Sequence, residues 1–133
     1  MANTVYPKWK EAVISGGSNV ALSGTLKVTL VDLADYTYSS AHDFIDDVPA
    51  GARVATATLG TKTYTNGLLD AADTTFTTVT GDVSEALILW IDTGVEGTSR
   101  LVAFIDTGVT GLPVTPNGGN INIIWNASGI IQF

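Results

Sequence analysis

The chain of 133 residues predicts a mainly β fold: one antiparallel β-sandwich or small barrel with a short amino-terminal helix. Three observations carry that reading. Short apolar runs rich in valine, isoleucine and threonine recur between turns built on glycine, asparagine and aspartate. Hydrophobic residues make up 45 % of the chain and charged residues 14 %, which is too apolar for disorder and enough for one core. Only one segment of ordinary quality has a helical period, and it lies near the start.

That segment is Tyr6–Ile14. Tyr6, Trp9 and Val13 share a stripe, Pro7 suits the first turn, and Gly16-Gly17 stops the helix. Residues 1–17 thus read as an amino-terminal arm on a single β-rich domain, 1–133, with no linker or low-complexity tract. Thr25–Val31 alternates as a strand. His42–Val48 reads as a short helical turn closed by Pro49-Ala50-Gly51. Strands are then expected at Arg53–Leu59, Lys62–Thr65, Thr74–Val79, Glu85–Ile91, Arg100–Ile105, Asn120–Trp125 and Ile130–Phe133, seven to nine in all. Asn66-Gly67 is a strong hairpin signal, since both positions of a two-residue turn want positive φ.

Charge excludes some partners. Thirteen acids face six scattered bases, for a net charge of −7. Such a surface lacks the basic stripe that nucleic acid requires and repels anionic lipid, so neither nucleic acid nor membrane is an expected partner. No apolar run approaches the ~20 residues of a membrane-spanning helix, and the first residues lack the pattern of a signal peptide. Synthesis and folding in the cytoplasm are therefore expected. The absence of cysteine excludes disulfides, thiolate metal sites and cysteine nucleophiles.

The sharpest chemical signal is a doubled Asp-Thr-Gly after apolar runs, at Asp92-Thr93-Gly94 and Asp106-Thr107-Gly108. Aspartic proteases use that triplet twice, with two carboxylates ~3 Å apart sharing a proton. Here a turn separates two apolar strands, so an antiparallel hairpin places the aspartates at opposite ends, about 17 Å apart at ~3.4 Å per residue. One chain cannot form the dyad that way. A homodimer built on Asp92, as in retroviral-type proteases, is the enzymatic alternative. The plainer reading is that each aspartate caps a turn and each glycine supplies positive φ.

Other constellations are weaker. His42 with Asp43, Asp46 and Asp47 lacks a second nitrogen ligand and the calcium-loop spacing, and reads as a solvated acidic loop. A single histidine without G-x-S-x-G argues against a serine hydrolase. The pairs Asp32/Asp35 and Asp70/Asp73 resemble glycosidase carboxylates only in spacing. No catalytic residue, cofactor or metal is expected. Trp90 and Phe104 are expected in the core. Tyr6 and Trp9 in the amino-terminal segment, and Tyr36 and Tyr38 in a polar connector, are the candidates for a protein interface, because exposed aromatics anchor interfaces. Packing of the amino-terminal helix onto its own sheet is the competing explanation for Tyr6 and Trp9. Tyr36 and Tyr38 would also serve a carbohydrate-binding sandwich.

Two stretches go further: HDFIDDVPAGARVA from His42 to Ala55, and LPVTPNGG from Leu112 to Gly119 with Ile123 and Trp125. With the MANTVY start, LDAADTTF from Leu69 and the two IDTG strand ends, they resemble a family of small acidic virion structural proteins of tailed bacteriophages. The resemblance spans nearly the whole chain. It implies a non-enzymatic virion protein and no catalytic site. The leading expectation is a capsid decoration, or cement, protein that binds and stabilises the assembled head. Its expected partners are the major capsid protein, other virion proteins and further copies of itself, and its expected place is the phage particle. A tail, baseplate or fibre component, touching a host surface or glycan, is the alternative within the same class.

Overall fold

A computed structural model describes residues 3–133. The fold is mainly β, with antiparallel sheets and one helix near the amino terminus. The described residues form ten strands: β1 (Thr4–Val5), β2 (Leu26–Val31), β3 (Arg53–Thr58), β4 (Thr63–Thr65), β5 (Leu68–Asp70), β6 (Thr74–Phe76), β7 (Ala86–Ile91), β8 (Leu101–Ile105), β9 (Ile121–Ile123) and β10 (Ile131–Gln132). Five of them make one sheet in the order β1-β8-β7-β2-β3. The others make a three-stranded sheet, β10-β5-β4, and a two-stranded one, β6-β9. With β1 and β3 as the edges of the main sheet, the arrangement is a sandwich and not a closed barrel.

The alternation of β2 explains the layering. Leu26, Val28 and Leu30 point to one face with Leu87, Leu89 and Ile91 of β7. That face is sealed by the two small sheets through Leu69, Phe76, Ile121, Ile123 and Ile130. Burial of each such side chain contributes about 1.5–3 kcal/mol. The second face carries Val31, Ala86, Ile88, Leu101 and Phe104, and is covered by the connector between β2 and β3. That connector holds no strand, only one-turn 3-10 helices at Ile45–Asp47 and Ala50–Ala52.

Register shifts once in β8. Leu89 faces Ala103 but Trp90 faces Leu101, so Val102 is an inserted residue. Such a bulge flips the side chains that follow it. Leu101 therefore joins the second face, while Val102 and Ala103 both join the first.

The helix α1 (Pro7–Ile14) begins at Pro7, as expected, and ends in a left-handed Gly16, φ +74°. Gly16 N–H donates to Val13 O at 3.3 Å and Gly17 N–H to Ala12 O at 2.7 Å, the two bonds of a Schellman cap. The Asn66-Gly67 turn also forms as expected, with φ of 53° and 77°. Trp90, expected in the core, is only half-buried, whereas Phe104 is buried. Of the expected amino-terminal arm or helix, the helix forms, but the described residues before it are not a free arm. Thr4–Val5 pairs with β8, and Tyr6 is fully buried. Met1 and Ala2 of that segment lie outside the described residues.

Candidate functional site

The two Asp-Thr-Gly turns sit at opposite ends of the β7–β8 hairpin, as the spacing predicts. Asp92 accepts a bond from Gly94 N–H at 2.8 Å and pairs with Lys27 Nζ at 2.9 Å. The Gly94 amide, with the Lys27 ammonium behind it, holds this carboxyl below its ordinary value. At the other turn the Asn3 side chain does the clamping. Its Oδ1 accepts from Asp106 N–H at 2.8 Å and Thr107 N–H at 3.1 Å. Asp92 thus caps a turn, while at the second copy the capping side chain is Asn3.

In the other carboxylate pairs, Asp32 accepts from Ala34 N–H at 2.9 Å. Asp70 accepts from Ala71 N–H at 2.9 Å, and Asp73 from Trp125 N–H at 3.1 Å. Asp43, Asp46 and Asp47 each bring a carboxylate oxygen within 4.8 Å of the others. Asp47 accepts the Asp43 amide at 2.8 Å. Burial and the neighbouring Asp47 raise the Asp43 carboxyl, whereas bonds from Asp43 and Phe44 outweigh burial and lower that of Asp47.

The four aromatic candidates divide. Tyr6 and Tyr36 are buried, at 0 % and 3 % exposure, which removes both as surface anchors. The polar connector that carries Tyr36 lies over the sheet, so its apolar ring turns inward. The two hydroxyls bond to each other at 2.7 Å, and that of Tyr36 bonds to His42 Nδ1 at 2.8 Å. Burial pushes the Tyr36 phenol up to about 12 and that of Tyr6 further above its ordinary range. Tyr38 is half-buried, its ring 5.1 Å from Tyr6 and 5.7 Å from Phe104. These tyrosines form an internal cluster under the connector, with His42 closing its outer end.

Tyr36 and Tyr38 line a cleft of about 260 Å³ with Leu33 and Phe104, and Trp9 faces a separate, more exposed opening. Its indole N–H donates to Val20 O at 3.1 Å, and its ring stands 5.1 Å from Phe133. A groove of about 310 Å³ runs between α1 and the end of β10, lined by Trp9, Lys10, Val13, Ile14 and Phe133. An adjoining cleft of about 200 Å³ shares Trp9 and Phe133 and continues over Leu22, Tyr64 and Leu68. The walls are apolar, and Lys10 is the one charged residue lining either cleft. Ile14 is 85 % exposed, Tyr64 49 %, Val13 44 % and Phe133 38 %. A contiguous exposed apolar surface of this kind marks a contact site more often than scattered single residues do.

The sequence held a signal for this surface. Ala12, Val13 and Ile14 are consecutive on a helix, and successive residues point ~100° apart, so one stripe cannot bury all three. Ala12 goes inside and the two larger residues stay out.

No family model matches this chain, and no curated protein matches it.

Proposed function

We propose that this protein is a non-enzymatic virion structural protein of a tailed bacteriophage, a capsid decoration protein that binds and stabilises the assembled head. The observation that carries the reading is the apolar groove around Trp9: among the described residues, four of the seven exposed large hydrophobic ones gather on it, in a chain of net charge −7. A surface of that kind supports assembly and not turnover of a small polar substrate. The resemblance of the His42–Ala55 and Leu112–Gly119 stretches to small acidic phage proteins supplies the class of assembly. Of the carboxylates that suggested chemistry, Asp92 caps a turn and pairs with Lys27, and Asp70 and Asp73 hold backbone amides.

The mechanism is linkage. A domain that binds only the completed lattice stabilises that lattice by mass action, and repeated copies turn weak contacts into avidity. The partners are the major capsid protein or other virion proteins, together with copies of this chain.

The test is to incubate the purified protein with undecorated heads and image them by electron microscopy. Density at regular lattice positions is the expected result. Density confined to one vertex, or to tails, overturns decoration in favour of a tail or baseplate role.

A further inference from the structure

The groove lies at one end of the main sheet. Leu22, on the wall of the adjoining cleft, and Gly24, whose carbonyl accepts from Lys62 Nζ, lead directly into β2, where Leu26 pairs with Ile91. At the other end of the same strands Val31 pairs with Ala86, five residues on and about 17 Å away. There stand Asp32, Asp35 and Asp82, with carboxylate oxygens within 4.8 Å of one another. Beside Asp82 is Val83, 41 % exposed. Its position is fixed by the neighbouring Ser84, which exchanges backbone bonds with Val114 at 2.9 and 3.0 Å.

The two ends are complementary. One is an apolar groove edged by an ammonium; the other is an apolar side chain edged by carboxylates. Among the described residues neither Lys10 nor these three aspartates has an ion pair, whereas Lys8 pairs with Glu11, Lys27 with Asp92 and Arg53 with Glu96. Val95 is also exposed beside an acid, but its Glu96 is already held by Arg53 at 2.9 Å. A groove-to-groove contact would set Lys10 against its own copy. The distance between the ends prevents one molecule from satisfying both.

We infer that copies of this chain associate head to tail. Val83 of one copy enters the groove of the next, and Lys10 meets the exposed carboxylates of Asp35 and Asp82, beside the buried Asp32. This is a heterologous contact, which closes into a ring or continues as a chain according to the rotation it imposes. The inference rests on reading the groove as an assembly surface and names its occupant as a second copy.

The test is sedimentation velocity of the full chain in EDTA, at about 50 mM and about 500 mM NaCl, where screening lengths differ severalfold. Concentration-dependent association, weaker at high salt, is expected. Lys10→Glu and Asp82→Lys should each weaken it at least about tenfold, since each sets like charges together. The double swap should restore it. Ile14→Ser should weaken it at either salt concentration. All three positions are exposed, and circular dichroism checks the fold. A chain that stays monomeric, or a double swap that fails to rescue, overturns the contact. A monomeric chain that still decorates heads leaves the capsid reading standing. Association without head binding has the reverse meaning.

Discussion

The main sheet is covered twice, by different means. On one face the cover is strands. The side chains between the layers are almost all hydrocarbon, from Leu26, Val28 and Leu30 to Ile121 and Ile123, with one buried polar link, Trp125 Nε1 to Thr74 Oγ1 at 3.2 Å. On the other face the cover is the irregular chain between β2 and β3, and the contacts are aromatic and hydrogen-bonded. The difference follows from backbone accounting. Strands satisfy much of their own amides and carbonyls in ladders, so the layer beneath them can be largely apolar. An irregular cover leaves groups over, and side chains must meet them. Arg53 does so with Nε to Val48 O and Nη2 to Ile45 O, each 2.9 Å. Thr29 is buried on this face and bonds to both Trp90 Nε1 and Thr56 Oγ1 at 2.8 Å. Packing holds the first face, and paired polar groups register the second.

The comparison breaks first at its apolar side. Leu89→Ala removes a fully buried side chain between two layers. We expect a loss of about 2–5 kcal/mol in equilibrium denaturation, the range for cavity-forming core truncations. On the second face Tyr36→Phe keeps the ring and removes the hydroxyl that links Tyr6 to His42. The Tyr6 hydroxyl is then left buried without that partner, at a cost of about 1–3 kcal/mol. Near-ultraviolet circular dichroism should change as well, and amide protection should fall within 32–52 more than within β7. Equal loss of protection in both regions would contradict a separately registered cover.

The smallest effect belongs to the rim. The Asp92 carboxyl is held below its ordinary 3.8 by the Gly94 amide and by Lys27. A depressed folded-state value contributes stability that is present above the unfolded value and disappears as pH falls through the folded one. Asp92→Asn should therefore flatten the acid limb of a stability profile below about pH 4, and cost at most about 1 kcal/mol at neutral pH. A cost comparable with that of Leu89→Ala would show that the turn, and not the core, sustains the sandwich.

The strands were legible because their signals are local. Alternation marks β2, and positive-φ residues mark the β4–β5 hairpin. The hairpin geometry that separates Asp92 from Asp106 followed from spacing alone. β1 escaped because two residues carry no period. Tyr36 was misplaced because polar neighbours such as Asp35, Thr37 and Ser39 describe a loop, and nothing in them says that the loop lies on a sheet. The partners that fix its hydroxyl, Tyr6 and His42, come from the far side of that packing and from the loop's own return. The groove was half legible: Trp9 was singled out, but Val13 and Phe133 beside it become one surface only when α1 and β10 meet.

The inserted Val102 has a consequence for how this sequence can drift. It sets the reading frame in which β8 deals its side chains to two different environments. Substitutions along β8 change one contact at a time, but removing one residue at the bulge would swap strand positions between a dry layer and an aromatic one. Insertions should therefore accumulate in the connector over the second face and be purged from β8 itself, so length variation among descendants of this chain would trace the cover and leave the hairpin unbroken.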